Sequence, residues 1–198
     1  MRRLLIATKN SHKTAEIRAI LGSEWDVSDL TTYPHYAAPE ETGATFLENA
    51  TIKALAASRI FPGLVLADDS GLEVDALGGA PGVFSARYAG PNATDAENRA
   101  KLLRELAARG PMQRSARFRC VIAFARAGTL LTNFAGVVEG RITSREYGAG
   151  GFGYDSLFAL ENGAKTFAEL PEAVKNESSH RARALRGAAR WLVNEYSA

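Results

Sequence analysis

Four stretches of this 198-residue chain carry side chains whose types and spacing could do chemistry. The apolar run Leu64-Val65-Leu66-Ala67 ends in Asp68-Asp69-Ser70-Gly71. Adjacent carboxylates repel, so a fold keeps such a pair at a buried strand end when a cation or a proton relieves the repulsion; a solvated turn would use the same residues. Thr8-Lys9-Asn10-Ser11-His12-Lys13 lies between a strand and a helix start, where free backbone N–H groups and the helix dipole favour an anion and Lys13 adds a full charge. The glycines and the Gly-Lys-Ser/Thr ending of a Walker loop are absent, and a plain capped turn is the structural alternative. Gly151-Phe152-Gly153-Tyr154-Asp155 sets aromatic rings among glycines that let backbone approach a flat ligand, with a carboxylate for a ring edge; a tight loop around a core aromatic would read the same way. Ser179-His180-Arg181 opens the last helix, where each cation works against the macrodipole by about 0.3–1 kcal/mol. An anion or a carbonyl-rich ligand is expected to offset that, with Arg181 offering forked donors and His180 donating or accepting beside it; a carboxylate such as Glu177 could also take Arg181.

Ser179 and His180 point in different directions on a helix and no Gly-x-Ser-x-Gly elbow occurs, which argues against a serine hydrolase. The oxygen donors available to a hard cation are Glu40, Glu41, Glu48, Asp68, Asp69 and Asp75. His12, His35 and His180 lack zinc-ligand spacing, and the single cysteine, Cys120, builds neither a disulfide nor a thiolate metal site. Mg²⁺ is the expected ion, because it takes one or two carboxylates and completes its shell with phosphate oxygens and water. A net charge of +2 suits a small anion and does not call for nucleic acid, and the arginines from Arg181 to Arg190 lack interleaved aromatics. The apolar run after Arg2-Arg3 is too short for a signal peptide and no segment reaches membrane-span length, so a cytoplasmic protein with no membrane partner is expected.

Elements must hold these groups in place. Leu4 to Ala7 reads as a buried strand, followed by a helix with Ile17, Ile20 and Leu21 that Gly22 stops. Residues 33–44 form a long loop, and Thr45 with Glu48 makes a capping box for a helix to about Ile60, whose polar face carries Thr45, Asn49 and Lys53. A strand over 64–67 follows. Thr94 and Glu97 cap a helix with Leu102, Leu103 and Leu106 inside, which reads as purely structural. Strands over 115–126 and 129–138 make a hairpin at Ala127-Gly128, a short strand spans 157–160, and the last helix packs Leu185, Ala189, Leu192, Val193 and Tyr196. The order predicts an α/β fold, a mixed central β-sheet flanked by helices with two lobes and a cleft between them, in a single domain over 1–198.

Taken together, Thr8-Lys9-Asn10 with Lys13 and Glu16, Glu40-Glu41-Thr42-Gly43 leading to Thr45-Phe46-x-Glu48-Asn49-Ala50-x-x-Lys53, and Ala67-Asp68-Asp69-Ser70-Gly71 closely resemble the inosine triphosphate pyrophosphatase family. Gly79-Ala80-Pro81-Gly82 with Ser85-Ala86-Arg87-Tyr88, then Gly151 to Asp155, then Ser179-His180-Arg181 follow in that family's order, and the likeness spans 4–196. The resemblance implies a homodimeric, Mg²⁺-dependent enzyme that hydrolyses ITP, dITP and XTP to monophosphate and pyrophosphate, clearing deaminated purines. By position it implies triphosphate contacts from Thr8, Lys9, Asn10, Ser11, His12, Lys13 and Lys53, with Ser70 beside the substrate. It implies a base pocket of Phe152, Gly153, Tyr154, Asp155, Lys175, His180 and Arg181, metal ligation by Asp69 and one of Glu40 and Glu41, with Glu40 preferred, and Asp69 as catalytic base or metal ligand. Ser156 departs from the family's usual proline, and Phe167 from a smaller residue. A pyrophosphatase of pyrimidine or modified nucleotides, like the Maf-like proteins, is the alternative.

Overall fold

A computed structural model describes residues 2–110, 113–161 and 163–196. Among these, strands β1 (Arg2–Ile6), β2 (Trp25–Asp29), β3 (Leu64–Val74), β4 (Ser115–Arg126), β5 (Thr129–Ile142) and β6 (Phe158–Leu160) form one sheet in the order β2-β1-β3-β4-β5-β6. β1 is parallel to β2, with Leu4 opposite Val27, and to β3, with Ile6 opposite Leu66; β5 is antiparallel to β6, with Arg141 opposite Ala159. The sheet is mixed, as the order of elements predicts. Helices α1 (Ser11–Leu21), α2 (Phe46–Ser58), α3 (Asp95–Ala107), α4 (Glu172–Ser178) and α5 (His180–Tyr196) complete the α/β fold. None of the described helices is long and apolar enough to cross a membrane.

The chain divides into two compact units, one of residues 1–69, 120–136 and 180–198, the other of 70–119 and 137–179. In the first unit, strand alternation sorts the core into two layers. Leu4, Ile6, Leu64 and Leu66 pack with Ile17 of α1 and with Ala184, Leu185, Ala188 and Leu192 of α5. Leu5, Val65 and Ala67 pack with Ala50, Ala54 and Ala57 of α2 and with Phe61. Burial on both faces is why the strands read as unbroken apolar runs. The second unit has its own core, where Leu72, Val74, Leu102, Leu106, Val138 and Tyr154 surround Phe118, Phe158 and Phe167. The Phe118 and Phe167 rings stack at 5.9 Å, so the large residue at 167 fills core volume.

Several boundaries differ from those read in the sequence. β3 does not stop at Ala67; it runs through both aspartates to Val74, because Leu72 and Val74 resume the alternation and are buried in the second unit. The carboxylates therefore lie inside a strand and not at its end. β5 extends to Ile142, which is buried in the same core. β2 and α4 carry too few apolar residues in a clear period to be read in advance. Val193 is exposed, since one residue past Leu192 turns about 100° away from the buried stripe, and the Tyr196 side chain lies outside the described residues. Both capping boxes form as read, and the turn at Ala127-Gly128 takes positive φ at both residues (48° and 77°), as a two-residue hairpin of this twist requires.

Candidate functional site

The alternation of β3 decides what the two aspartates do. Even-numbered positions face α1 and α5 and odd-numbered positions face α2, so Asp68 and Asp69 point to opposite sides of the sheet and each meets its own lysine. The repulsion expected of neighbouring carboxylates is thus relieved by separation as well as by cations. Asp68 Oδ1 accepts from Lys13 Nζ, and its Oδ2 accepts from Cys120 Sγ at 3.1 Å and Arg181 Nε at 3.2 Å. Burial pushes this carboxyl up, but Arg181 and then Lys13 hold it well below the usual carboxylate range. Asp69 Oδ1 accepts from Lys53 Nζ at 2.7 Å, while its Oδ2 is buried with no hydrogen-bond partner. Here burial wins over Lys53 and the carboxyl is pushed up.

Lys53 is delivered by the polar face of α2. Thr45 accepts from the Glu48 N–H at the N-cap. One turn on, the buried Asn49 accepts the Gly43 N–H at 2.8 Å; another turn on, Lys53 reaches Asp69 and, at 3.1 Å, Glu41 Oε1. A Cβ at Gly43 would sit 2.6 Å from Glu48 Cβ, so only glycine lets the Glu40-Glu41 loop dock on this helix. Burial lowers the Lys53 pKa, but Asp69 and Glu41 more than offset it and the ammonium is stabilised. Glu40 is exposed, whereas Glu41 is partly buried on Lys53.

At the start of α1, Asn10 Oδ1 accepts from the N–H groups of His12 (3.0 Å) and Lys13 (3.3 Å), and the Asn10 N–H donates to Thr8 Oγ1 at 3.1 Å. The cap thus uses two of the donors that an anion would otherwise claim. Lys9 donates to the Tyr36 carbonyl at 3.5 Å, and Ser11 and His12 are exposed. At the start of α5, a Cβ on Gly136 would collide with the His180 carbonyl and lie 2.5 Å from the Ala184 nitrogen, so this glycine of β5 lets the first helical turn close in. His180 is buried there, and Arg181, only 1% exposed, places its guanidinium between Asp68 and Glu16. Glu16 and Asp68 are both carboxylate partners of Arg181. Sequence reading named Glu16 and Glu41 without their cation partners and missed Gly136; the signal for Glu16 was its place one turn after Lys13, on the face that the helix buries.

Among the described residues, no three His, Cys, Asp or Glu side chains are gathered as a ready metal site. The donor chemistry instead fits an ion content with one or two carboxylates: Asp69 keeps an unpartnered oxygen, and the Glu40-Glu41 loop is tethered to the same helix as Lys53.

The second unit holds the aromatic loop. Asp155 Oδ2 accepts from the Phe152 N–H at 2.9 Å and from Lys175 Nζ at 2.7 Å, and Lys175 Nζ stands 4.9 Å from the centre of the Phe152 ring. Gly151 has φ +73° and any Cβ there would strike the Asp155 carboxylate. Phe152, Asp155 and Lys175 therefore come together as one assembly. Tyr154 does not join them; it is buried in the core and donates its hydroxyl to the Ser85 carbonyl at 2.8 Å. Ser70 opens this unit, half-buried, directly after Asp69.

Comparison with known proteins agrees with the motifs. The family model of the Ham1 family matches residues 4–191. A Halalkalibacterium halodurans protein named dITP/XTP pyrophosphatase is 50% identical over 193 residues, 97% of this chain and 100% of its own length. A Geobacter sulfurreducens protein of the same name is 49% identical over 93% of this chain and 94% of its own. The solved structure of a HAM1 protein from Coxiella burnetii superposes with a TM-score of 0.88 at 43% identity, covering 98% of this chain and 100% of that one. The Staphylococcus aureus Ham1 protein gives 0.86 at 39% identity, with the same coverage. With the family model matching nearly the whole chain and relatives about half identical over their full length, the chain belongs to the Ham1 family.

Proposed function

We propose that this protein hydrolyses deaminated purine nucleoside triphosphates, ITP, dITP and XTP, to the monophosphate and pyrophosphate with Mg²⁺, as a cytoplasmic homodimer. The observation that carries this reading is Asp69: a buried carboxylate with one oxygen on Lys53, the other without a partner, and a proton affinity raised by burial. The names of the relatives point the same way. Nothing in the comparisons favours the pyrimidine alternative.

Attack of water on the α-phosphorus builds charge on the phosphoryl and leaving oxygens, so positive groups must be in place beforehand. Lys13 and Lys53 supply them, exchanging carboxylate partners for phosphate oxygens. Asp69 and the Glu40-Glu41 loop, with Glu40 as the second ligand, would hold Mg²⁺, which would supply further positive charge to those oxygens. Asp69 orients the water and accepts its proton as the bond from the α-phosphorus to the bridging oxygen breaks and pyrophosphate leaves. Thr8 to His12 line the phosphate end as a rigid turn, with Ser70 beside it. The purine ring stacks on Phe152, and Gly153, Asp155 and Lys175 shape the ring edge, with Tyr154 supporting the loop from the core. His180 and Arg181 read the 6-oxo acceptor, which adenine replaces with an amino donor that would face their own donors.

A panel of nucleoside triphosphates assayed for pyrophosphate release with and without Mg²⁺ tests the reading. Release from ITP, dITP and XTP far above ATP, abolished by chelation, is expected; equal rates on ATP, or preference for a pyrimidine, would reject it.

A further inference from the structure

α3 reads in the sequence as structural, yet its exposed first turn holds the aromatic loop by the backbone. Asp95 and Arg99 are four residues apart and so share one helix face. Asp95 Oδ2 accepts the Gly153 N–H at 2.7 Å, and Arg99 Nη1 donates to the Gly153 carbonyl at 2.9 Å. Both polar groups of one residue, directly between Phe152 and Tyr154, are thus fixed by side chains of one helix. Arg99 Nε also pairs with Glu146 at 2.8 Å, and Glu146 accepts the Ser156 hydroxyl at 2.9 Å. Gly153 takes φ +60°, a conformation that L side chains rarely adopt, so the loop is shaped by glycine and then held from outside. One residue before Asp95, Thr94 caps the helix with Glu97, which fixes the turn from which the Asp95 carboxylate projects.

We infer that Asp95 and Arg99 are positioning residues that hold Phe152 in place for the purine ring, setting affinity for the base without touching it. The inference rests on the reading of the Phe152 loop as the base platform. The bond to Gly153 requires an acceptor oxygen at residue 95, not a charge. An asparagine there keeps the acceptor but loses the favourable interaction of an acid with the helix N-terminus; alanine loses both.

The experiment measures kcat and KM for ITP with wild type, Asp95→Ala, Asp95→Asn and Arg99→Lys, together with hydrogen exchange of the Gly153 amide. Asp95→Ala should raise KM about tenfold with kcat within about twofold of wild type, as expected for loss of one hydrogen bond, and should unprotect the Gly153 amide. Asp95→Asn should restore both. Arg99→Lys, which cannot serve the carbonyl and Glu146 together, should also raise KM severalfold. Equal effects of alanine and asparagine would assign Asp95 to helix stability alone and overturn the inference, as would an unchanged KM in Asp95→Ala and Arg99→Lys. If Asp95→Ala does not fold, Arg99→Lys and Asp95→Asn carry the test. Wild type inactive on ITP would instead refute the parent reading.

Discussion

The two units solve the problem of placing polar groups in opposite ways. In the first, side chains from β3, α1, α2, β4 and α5 neutralise one another: Asp68 alone accepts from Lys13, Cys120 and Arg181, residues 55, 52 and 113 positions away. In the second, the working loop is shaped by backbone, with glycines at positive φ, an aspartate folded back on its own loop at Phe152, and a lysine laid over the ring. A charge cluster of the first kind is bound to fail as a whole when one member is removed, because the partners left behind are buried ions. Outside its buried ion pair of Asp155 with Lys175, a loop of the second kind loses position gradually and keeps its fold. Substitutions at Asp68 and Asp69 in the first unit should therefore cost stability or turnover, and those in the Phe152 loop of the second should cost affinity.

The largest expected effect is on catalysis. Asp69→Asn should lower kcat for ITP by three orders of magnitude or so while KM stays near wild type, because the amide cannot accept the proton from water; near-normal kcat would remove Asp69 from the chemistry. Next is Asp68→Asn, which leaves Arg181 and Lys13 short of a counter-charge. Denaturant unfolding should show a loss of about 3–5 kcal/mol, the cost of breaking a buried pair by removing one partner. A loss under 1 kcal/mol would mean that the cluster is not the keystone of its unit. Phe152→Ala should raise KM for ITP about tenfold to a hundredfold, the worth of one ring stacked on a base, with a melting temperature little changed; a large fall in melting temperature with unchanged KM would make Phe152 a core residue and dissolve the contrast between the units.

Cys120 gives the smallest and sharpest test. It is fully buried, and burial, reinforced by the neighbouring Asp68 charge, pushes its thiol well up. The thiolate is the reactive form, so a maleimide at pH 8 should leave the native protein unlabelled and modify it only on unfolding. Rapid native labelling would show that the layer around Asp68 opens readily.

The pattern of strands and helices in the first unit was legible because periodicity and caps are local: Leu4 to Ala7, Thr45 with Glu48, and Gly22 each announce an element within a few residues. The same is true of the lysines, since Thr45, Asn49 and Lys53 fall on one face by spacing alone. What could not be read was which partner each charge would take. Arg181 lies between Asp68 and Glu16, and no local rule brings residue 181 to residue 16. The strand end was misplaced for a related reason, because two acids look like punctuation until the cations that tolerate them are known. In the second unit, Tyr154 and Phe152 are indistinguishable by type and spacing; one is buried against Ser85 and the other lies under Lys175 only because Gly151 and Gly153 bend the chain between them.

The central claim is that water attacks the α-phosphorus of a purine nucleoside triphosphate with Asp69 as proton acceptor. Hydrolysis of ITP in ¹⁸O-labelled water with Mg²⁺, read by mass spectrometry of the products, tests it most directly. The account predicts one labelled oxygen in inosine monophosphate and none in pyrophosphate; label in pyrophosphate, or release of inorganic phosphate in its place, would contradict it.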